Sequence, residues 1–201
     1  MPAEKLSPQM AARFTSMNKL KGRTYSGAME VKDPHVFYDT YTLDASAAAT
    51  QLFNNGAPKV IQLSNYPYTN LPMGQAFDVH GLRVSWWGHA ALDDAGQLAL
   101  TTYMNRTYIN LKIANKNASY ERNLGALFGG QVHVVTAPAV TVNSRNLSVW
   151  TGNTLVKFNK KIEIDETVQF TVNLEKVAAN AAALTGDYLR VELIGRLTSL
   201  L

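Results

Sequence analysis

Hydrophobic and polar residues alternate along much of the chain after residue 34. The longest unbroken case is residues 168–174 (VQFTVNL), where four apolar side chains occupy one face. The same period of two runs through residues 107–113 and 189–193. This alternation predicts half-buried antiparallel strands, with one face toward a core and the other toward water.

Seven further segments have strand-like composition and bring the predicted total to about ten short strands. They are residues 35–43, 60–63, 76–86, 97–104, 131–135, 155–158 and 161–164. A hairpin turn at Asn159-Lys160 is predicted between the last two segments. The neighbouring lysines Lys157, Lys160 and Lys161 are interpreted as residues that discourage unwanted strand pairing at a sheet edge.

Helical pattern is scarce outside the N-terminus. Asp44 or Ser46 is a suitable cap for a short Ala-rich helix that would end near residues 54–56. Residues 177–184 form a second candidate, before Gly186. We expect both helices to be short and to lie on loops between strands.

One strand candidate changes phase within itself. Phe77 and Val79 are apolar at odd positions, whereas Leu82, Val84 and Trp86 are apolar at even positions. A β-bulge at the intervening Gly81 would return all five side chains to the same face. Bulged strands are typical of sandwiches and barrels, where a strand follows a curved core.

Strand follows strand without alternating helices, so the pattern favours an all-β, antiparallel β-sandwich of Greek-key or jelly-roll type. We expect two regions. Residues 1–33 form a short helical or extended N-terminal arm, and residues 34–201 form one β-sandwich domain.

Composition excludes several kinds of site. The chain has no Cys, which removes disulfides, Cys-ligated metals and thiol nucleophiles. No apolar run is long enough to span a membrane and no secretory signal is evident, so the chain is expected to be made in the cytoplasm. Charged residues make up 17% of the chain against a usual ~25%, which predicts a neutral, polar surface.

The net positive charge of the chain lies in the N-terminal arm, and the remainder of the chain is balanced. Residues 1–25 carry five basic residues and one acidic residue, a net charge of +4 that equals the excess of the whole chain. Arg13, Lys19, Lys21 and Arg23 are therefore the candidate contacts to an anionic partner, either nucleic acid or a lipid surface.

The arm also carries a short apolar stripe. Met10, Phe14 and Met17 have helical spacing after a Ser7-Pro8 start signal. Such a stripe favours docking onto protein, with an interfacial membrane helix as the alternative. A helix of this length is marginal alone, so it is expected to order against a partner.

Catalytic and metal-binding signatures are absent from the sequence. It contains no nucleotide-binding glycine loop, HExxH or GxSxG motif. Asp78 and His80 share one strand but have no identifiable third ligand, and residues 93–96 (DDAG) are interpreted as a turn. We expect no enzyme activity, no cofactor, no metal and no small-molecule substrate.

Aromatic residues suggest one alternative function. Residues 86–87 (WW), with Tyr66, Tyr68, Tyr103 and Tyr108, are candidates for a sugar-stacking platform, with Trp86 inward and Trp87 outward. The alternative function is therefore a carbohydrate-binding β-sandwich module of a receptor-binding or spike protein.

Three segments in sequence order resemble a known family. They are residues 71–84 (LPMGQAFDVHGLRV), 162–172 (IEIDETVQFTV) and 188–196 (YLRVELIGR). They resemble the first long strand and the closing strands of jelly-roll coat proteins from tailless icosahedral bacteriophages. The resemblance spans roughly residues 60–196.

This resemblance implies a single jelly roll that serves as a capsid subunit in the virion. It further implies self-assembly into an icosahedral shell with copies of the chain and other shell subunits. The N-terminal arm would then reach a neighbouring subunit, an internal membrane or the genome.

Overall fold

Eight strands and two helices make up the part of the chain that the structure, a computed structural model, describes. That part comprises residues 29–44, 49–54, 60–87, 94–114, 120–127, 155–176 and 184–200. The strands are β1 (Met29–Thr42), β2 (Thr50–Leu52), β3 (Gln75–Trp87), β4 (Thr107–Ile113), β5 (Tyr120–Asn123), β6 (Val156–Ile164), β7 (Phe170–Lys176) and β8 (Tyr188–Leu200). The helices are α1 (Asp94–Arg106) and α2 (Leu124–Leu127).

The strands pair as one long hairpin that is folded back on itself. β1 pairs with β8, β2 with β7, β3 with β6 and β4 with β5, all antiparallel. Two more ladders, β3 with β8 and β4 with β7, join these pairs into two four-stranded sheets. The strand orders are β1-β8-β3-β6 and β2-β7-β4-β5. The predicted all-β class and antiparallel two-sheet arrangement are therefore confirmed.

The two sheets adjoin at both of their edges. On one side, the backbone N–H of Phe53, just after β2, donates a 2.7 Å hydrogen bond to the Asp39 carboxylate on β1. On the other side, the rings of Tyr120 on β5 and Phe158 on β6 have centroids 4.7 Å apart. Between these edges the apolar side chains of both sheets form one continuous core.

Aromatic rings occupy the centre of that core. Phe37 on β1 and Phe77 on β3 belong to the first sheet, and Phe170 on β7 belongs to the second. Tyr66, from the connection before β3, contacts Phe37 at 5.1 Å and Phe170 at 4.8 Å between centroids. Tilted and edge-to-face contacts of this kind add to the stabilisation that apolar burial provides.

The apolar residues of the predicted alternation are buried in the core. Phe170, Val172 and Leu174 on β7 are fully buried, as are Ile109 and Leu111 on β4. Side chains at every second position of a strand share one face, so each of these strands contributes a row of core residues.

The bulge predicted at Gly81 is confirmed. The register of β3 shifts between Val79 and Gly81 against both β6 and β8, and His80 is the extra, exposed residue. Gly81 has no positive φ, so backbone strain is not what requires glycine there. A Cβ atom at Gly81 would lie 2.7 Å from the Val156 carbonyl oxygen, too close for any other side chain.

The strand predicted over residues 97–104 is wrong, because this segment lies in helix α1. Leu100, Tyr103 and Met104 are buried, which places them on one helical face. The adjacent threonines favoured a strand in the sequence, but packing of this apolar face on the core determined the structure. The turn predicted at residues 93–96 is also wrong where it is described, since Asp94 begins the helix.

The hairpin predicted at Asn159-Lys160 is wrong as well. Residues 156–164 form the single strand β6, whose register against β3 jumps from Lys157 opposite Gly81 to Ile162 opposite Val79. The four residues between them, 158–161, face His80 alone and loop out from the ladder. The turn-forming sequence therefore produces a bulge in an edge strand.

Two other predicted elements differ from the structure. Residues 60–63, predicted as a strand, form a turn. Residues 50–52, within the predicted Ala-rich helix, form β2 instead because Leu52 is buried against the core. Of the helix predicted at residues 177–184, only Leu184 is described, and the strand predicted at residues 131–135 lies outside the described residues.

Candidate interaction surfaces

The candidate contact residues of the N-terminal arm lie outside the described residues. This holds for its four basic residues and for its apolar stripe. They are Arg13, Lys19, Lys21 and Arg23, and Met10, Phe14 and Met17. The first described strand, β1, begins at Met29, upstream of the sandwich start predicted at residue 34.

Asp78 and His80 have different environments. The buried Asp78 carboxylate pairs with the Lys161 ammonium at 3.1 Å, whereas His80 is exposed at the bulge. Lys161 also contacts Glu163 at 3.0 Å. The pKa of Lys161 is raised, mainly by its hydrogen bond to Glu163; burial opposes this effect, and the hydrogen bond to Asp78 and the two carboxylate charges add to it. Within the described residues, no group of three His, Asp or Glu side chains is placed to hold a metal ion.

The predicted aromatic platform is not assembled. Tyr66 and Tyr103 are buried in the core, so their rings cannot stack on a sugar from solvent. Tyr68 and Tyr108 are exposed, and Trp86 is partly buried against the core, in the inward position predicted for it.

A buried lysine lies at one end of the sandwich. The Lys176 side chain is 1% exposed, and its Nζ donates a 3.1 Å hydrogen bond to the Tyr41 hydroxyl. That hydroxyl donates in turn to the Asp44 carboxylate at 2.7 Å. Burial raises the pKa of the nearby Tyr103 hydroxyl, and Tyr41 adds to this effect. Because the lysine is held by a phenol and a carboxylate on the β1 side, we assign it a structural role.

Among the described residues, adjacent exposed apolar side chains occur in the apolar turn, which we define as residues 60–63. Val60 is 62% exposed and Ile61 is 68% exposed. Two adjacent branched apolar side chains in water are unfavourable for a monomer. We take them as a candidate contact surface, because a partner that covered them would remove this apolar area from water.

Polar contacts fix the apolar turn against the first sheet. The Tyr38 hydroxyl on β1 donates a hydrogen bond to the Ile61 carbonyl, and the Arg190 guanidinium on β8 donates one to the Gln62 carbonyl. Arg190 also lies over the Tyr38 ring, 4.5 Å from its centroid. The side chain of Asn65 accepts a 2.7 Å bond from the Tyr38 N–H. The turn is therefore preorganised, which lowers the entropic cost of binding through it.

Sequence reasoning missed the apolar turn as a surface. Its residues carry the composition of a buried strand, and the groups that hold it come from residue 38 and residue 190, which are distant in sequence. Only the antiparallel pairing of β1 with β8 brings Tyr38 and Arg190 together.

Comparisons with known proteins give no relative. A scan against protein-family models finds no match, and searches of curated proteins and of solved structures find none. Neither helix of the described residues has the length and hydrophobicity needed to cross a bilayer.

Proposed function

We propose that the chain is a single jelly roll that serves as a structural subunit of a phage-like capsid. The observation that carries the fold is the nested pairing of β1 with β8, β2 with β7, β3 with β6 and β4 with β5. Rolling up such a hairpin produces two interlocked Greek keys, the arrangement of jelly rolls in viral capsid and lectin domains.

The composition and surface of the chain favour a self-assembling subunit over a monomeric ligand-binding module. The chain has few charges, so less desolvation opposes packing of its flanks against other subunits. The apolar turn supplies a preorganised hydrophobic contact. The segments that resemble coat proteins coincide with the start of β3, the end of β6 with the start of β7, and β8.

The proposed partners are copies of the chain and other shell subunits, and the proposed location is the virion. In this scheme Arg13, Lys19, Lys21 and Arg23 contact genome or an internal membrane. Met10, Phe14 and Met17 dock onto a neighbouring subunit. Shell formation needs no cofactor and no catalytic step.

The direct test measures the oligomeric state of the purified protein by light scattering and negative-stain electron microscopy. We expect discrete oligomers or closed particles. The double variant Val60→Ser/Ile61→Ser is expected to weaken association at least 10-fold while the melting temperature stays near that of the wild type. The matched control is Gln62→Ser, an exposed polar position in the same turn, which should assemble normally.

A monomeric protein at all accessible concentrations that binds glycans would overturn the proposal in favour of the carbohydrate-binding module. Normal assembly of the double variant would leave the shell role intact but refute the apolar turn as its contact.

A further inference from the structure

A second candidate surface lies where edge strands β5 and β6 adjoin. A cavity of about 300 Å³ opens there between the two sheets. We call it the β5–β6 pocket. Its described lining residues are Tyr120, Arg122, Val156, Lys157, Phe158, Asn159, Lys160 and Ile162.

Three of the four bulged residues of β6 line this pocket. Residues 158–161 leave the ladder with β3 and carry Phe158 to the ring of Tyr120 on the other sheet, with 4.7 Å between centroids and 39° between planes. A regular β6 would keep these residues in line with β3. The aromatic pair therefore forms the wall that joins the two sheets.

Arg122 occupies an unusual position for a charged residue. On β5 it lies opposite Ile109, and Tyr120 lies opposite Leu111, both of which are fully buried on β4. Cross-strand partners share a face, so Arg122 is on the inner face of the sheet, at the edge where the sandwich opens. Its side chain is solvent-exposed, so at this open edge the guanidinium stays hydrated and accessible to an anion.

The charge of the pocket is entirely positive. Arg122, Lys157 and Lys160 line it, and none of its described lining residues is acidic. Glu121 lies on the opposite face of β5 by strand alternation, and Lys161 is engaged by Asp78 and Glu163.

Cations around an aromatic wall match a planar base linked to phosphate. We propose that the β5–β6 pocket binds single-stranded nucleic acid, with one nucleotide seated in the pocket. The base stacks on the Phe158 and Tyr120 rings, and the flanking phosphates contact Lys157, Lys160 and Arg122. Stacking and backbone charge together are the usual means of binding single strands with little sequence preference.

The lining residues favour this ligand over a neutral sugar. A sugar platform needs hydrogen-bond acceptors for the hydroxyl groups as well as an aromatic ring, and the side chains here supply one amide, Asn159, one hydroxyl, Tyr120, and no carboxylate. The volume lies at the lower end of the range for ligand pockets, which suits one nucleotide unit. The site belongs to the single chain and does not rest on shell assembly.

The test is fluorescence anisotropy of the full-length protein with fluorescein-labelled decathymidylate. Phe158→Leu is expected to weaken binding roughly 5- to 100-fold by removing the stacked ring. Lys157→Gln/Lys160→Gln is expected to reduce the slope of log affinity against log salt by about 1.4, because each lost phosphate contact contributes about 0.7. The matched control Lys32→Gln/Lys112→Gln removes two lysines that pair with Glu30 and Glu175, and should leave the slope unchanged.

Cross-linking separates the pocket from the basic arm. An oligonucleotide carrying 5-iodouracil should cross-link to Tyr120 or Phe158 on irradiation, as mapped by mass spectrometry. Cross-links found elsewhere, or an unchanged affinity and salt slope in the lysine variant, would overturn the proposal. Equal competition by duplex DNA would also overturn the proposal. So would variants that lose binding to phosphatidylglycerol vesicles but keep binding to the oligonucleotide.

Discussion

Two glycines from neighbouring strands make the bulge of β3 possible. A Cβ atom at Gly195 on β8 would lie 2.1 Å from the Asp78 carbonyl oxygen, and one at Gly81 would lie 2.7 Å from that of Val156. Both obstacles are backbone atoms, which cannot rotate away. We expect Gly81→Ala to lower the free energy of unfolding by about 1–3 kcal/mol, and Gly195→Ala to lower it by more. Urea denaturation measures both, and a neutral Gly195→Ala would contradict this account.

We expect His35 to make stability depend on pH at mildly acidic values. Burial lowers its pKa, and the charge of Lys32 lowers it further. Its ring packs edge-on against Phe37, with centroids 4.6 Å apart. The folded state therefore disfavours the protonated ring. The stability that the neutral ring contributes is present above the unfolded-state pKa of about 6.5, and it is lost as pH falls through the lower pKa of the folded state.

We therefore expect the urea midpoint of the wild type to fall between pH 7.5 and pH 5.5. His35→Phe, which keeps an aromatic ring next to Phe37, should show a smaller fall over the same range. An identical pH profile in the variant would assign the effect to other groups.

At the scale of elements, β8 and β6 should respond differently to proline. Ile194 lies within β8, which pairs on both sides, whereas Lys160 lies in the bulge of edge strand β6. We expect Ile194→Pro to destabilise the protein by about 3 kcal/mol or more, because it removes a ladder hydrogen bond and adds a clash. Lys160→Pro should cost less than about 1 kcal/mol. Thermal melts compare the two variants, and equal losses would contradict the bulge.

The strands that could be predicted from the sequence are those with a strong local alternation of apolar and polar residues. β3, β4 and β7 carry alternation strong enough to identify their inner faces, and the phase change at Gly81 located the bulge. Helix α1 was missed because its buried face depends on packing against a core that the local sequence does not reveal. At residues 158–161 the turn signal was real, but whether it makes a hairpin or a bulge depends on pairing with β3.

The candidate surfaces were less predictable than the strands. The basic residues Lys157 and Lys160 are visible in the sequence, but Arg122 joins them only because β5 and β6 are edges of different sheets that adjoin. No local pattern places an arginine opposite a buried isoleucine. The apolar turn was mistaken for a strand for a related reason, since composition does not reveal exposure.

For the molecule as a whole, we expect folding and assembly to be separable. Deletion of residues 2–25 leaves β1 complete, because that strand begins at Met29. The truncated protein should keep a melting temperature within a few degrees of the wild type and lose higher-order assembly. If it fails to fold, or assembles as well as the full chain, the hypothesis of an assembly arm that is dispensable for folding is wrong.

Charge removal in the arm distinguishes its partners. Replacement of Lys19, Lys21 and Arg23 by Gln should weaken any salt-sensitive association with nucleic acid or anionic lipid, because such attraction is screened over about 8 Å at physiological salt. If deletion impairs assembly and charge removal does not, Met10, Phe14 and Met17 are the important residues. Light scattering across a salt series makes the comparison.

The nested pairing of the strands means that the first sheet cannot be completed until the last strand has been synthesised. β1 and β3 share β8 as their common neighbour, and β8 begins 146 residues after β1 ends at Thr42. At roughly 5–20 residues per second, a ribosome needs about 7–30 s to make that stretch. For most of that interval, from the completion of β3 at Trp87 onward, the nascent chain holds two long strands whose shared partner has not been made. Chaperone supply and translation speed are therefore expected to influence yield more than the stability of the finished protein does.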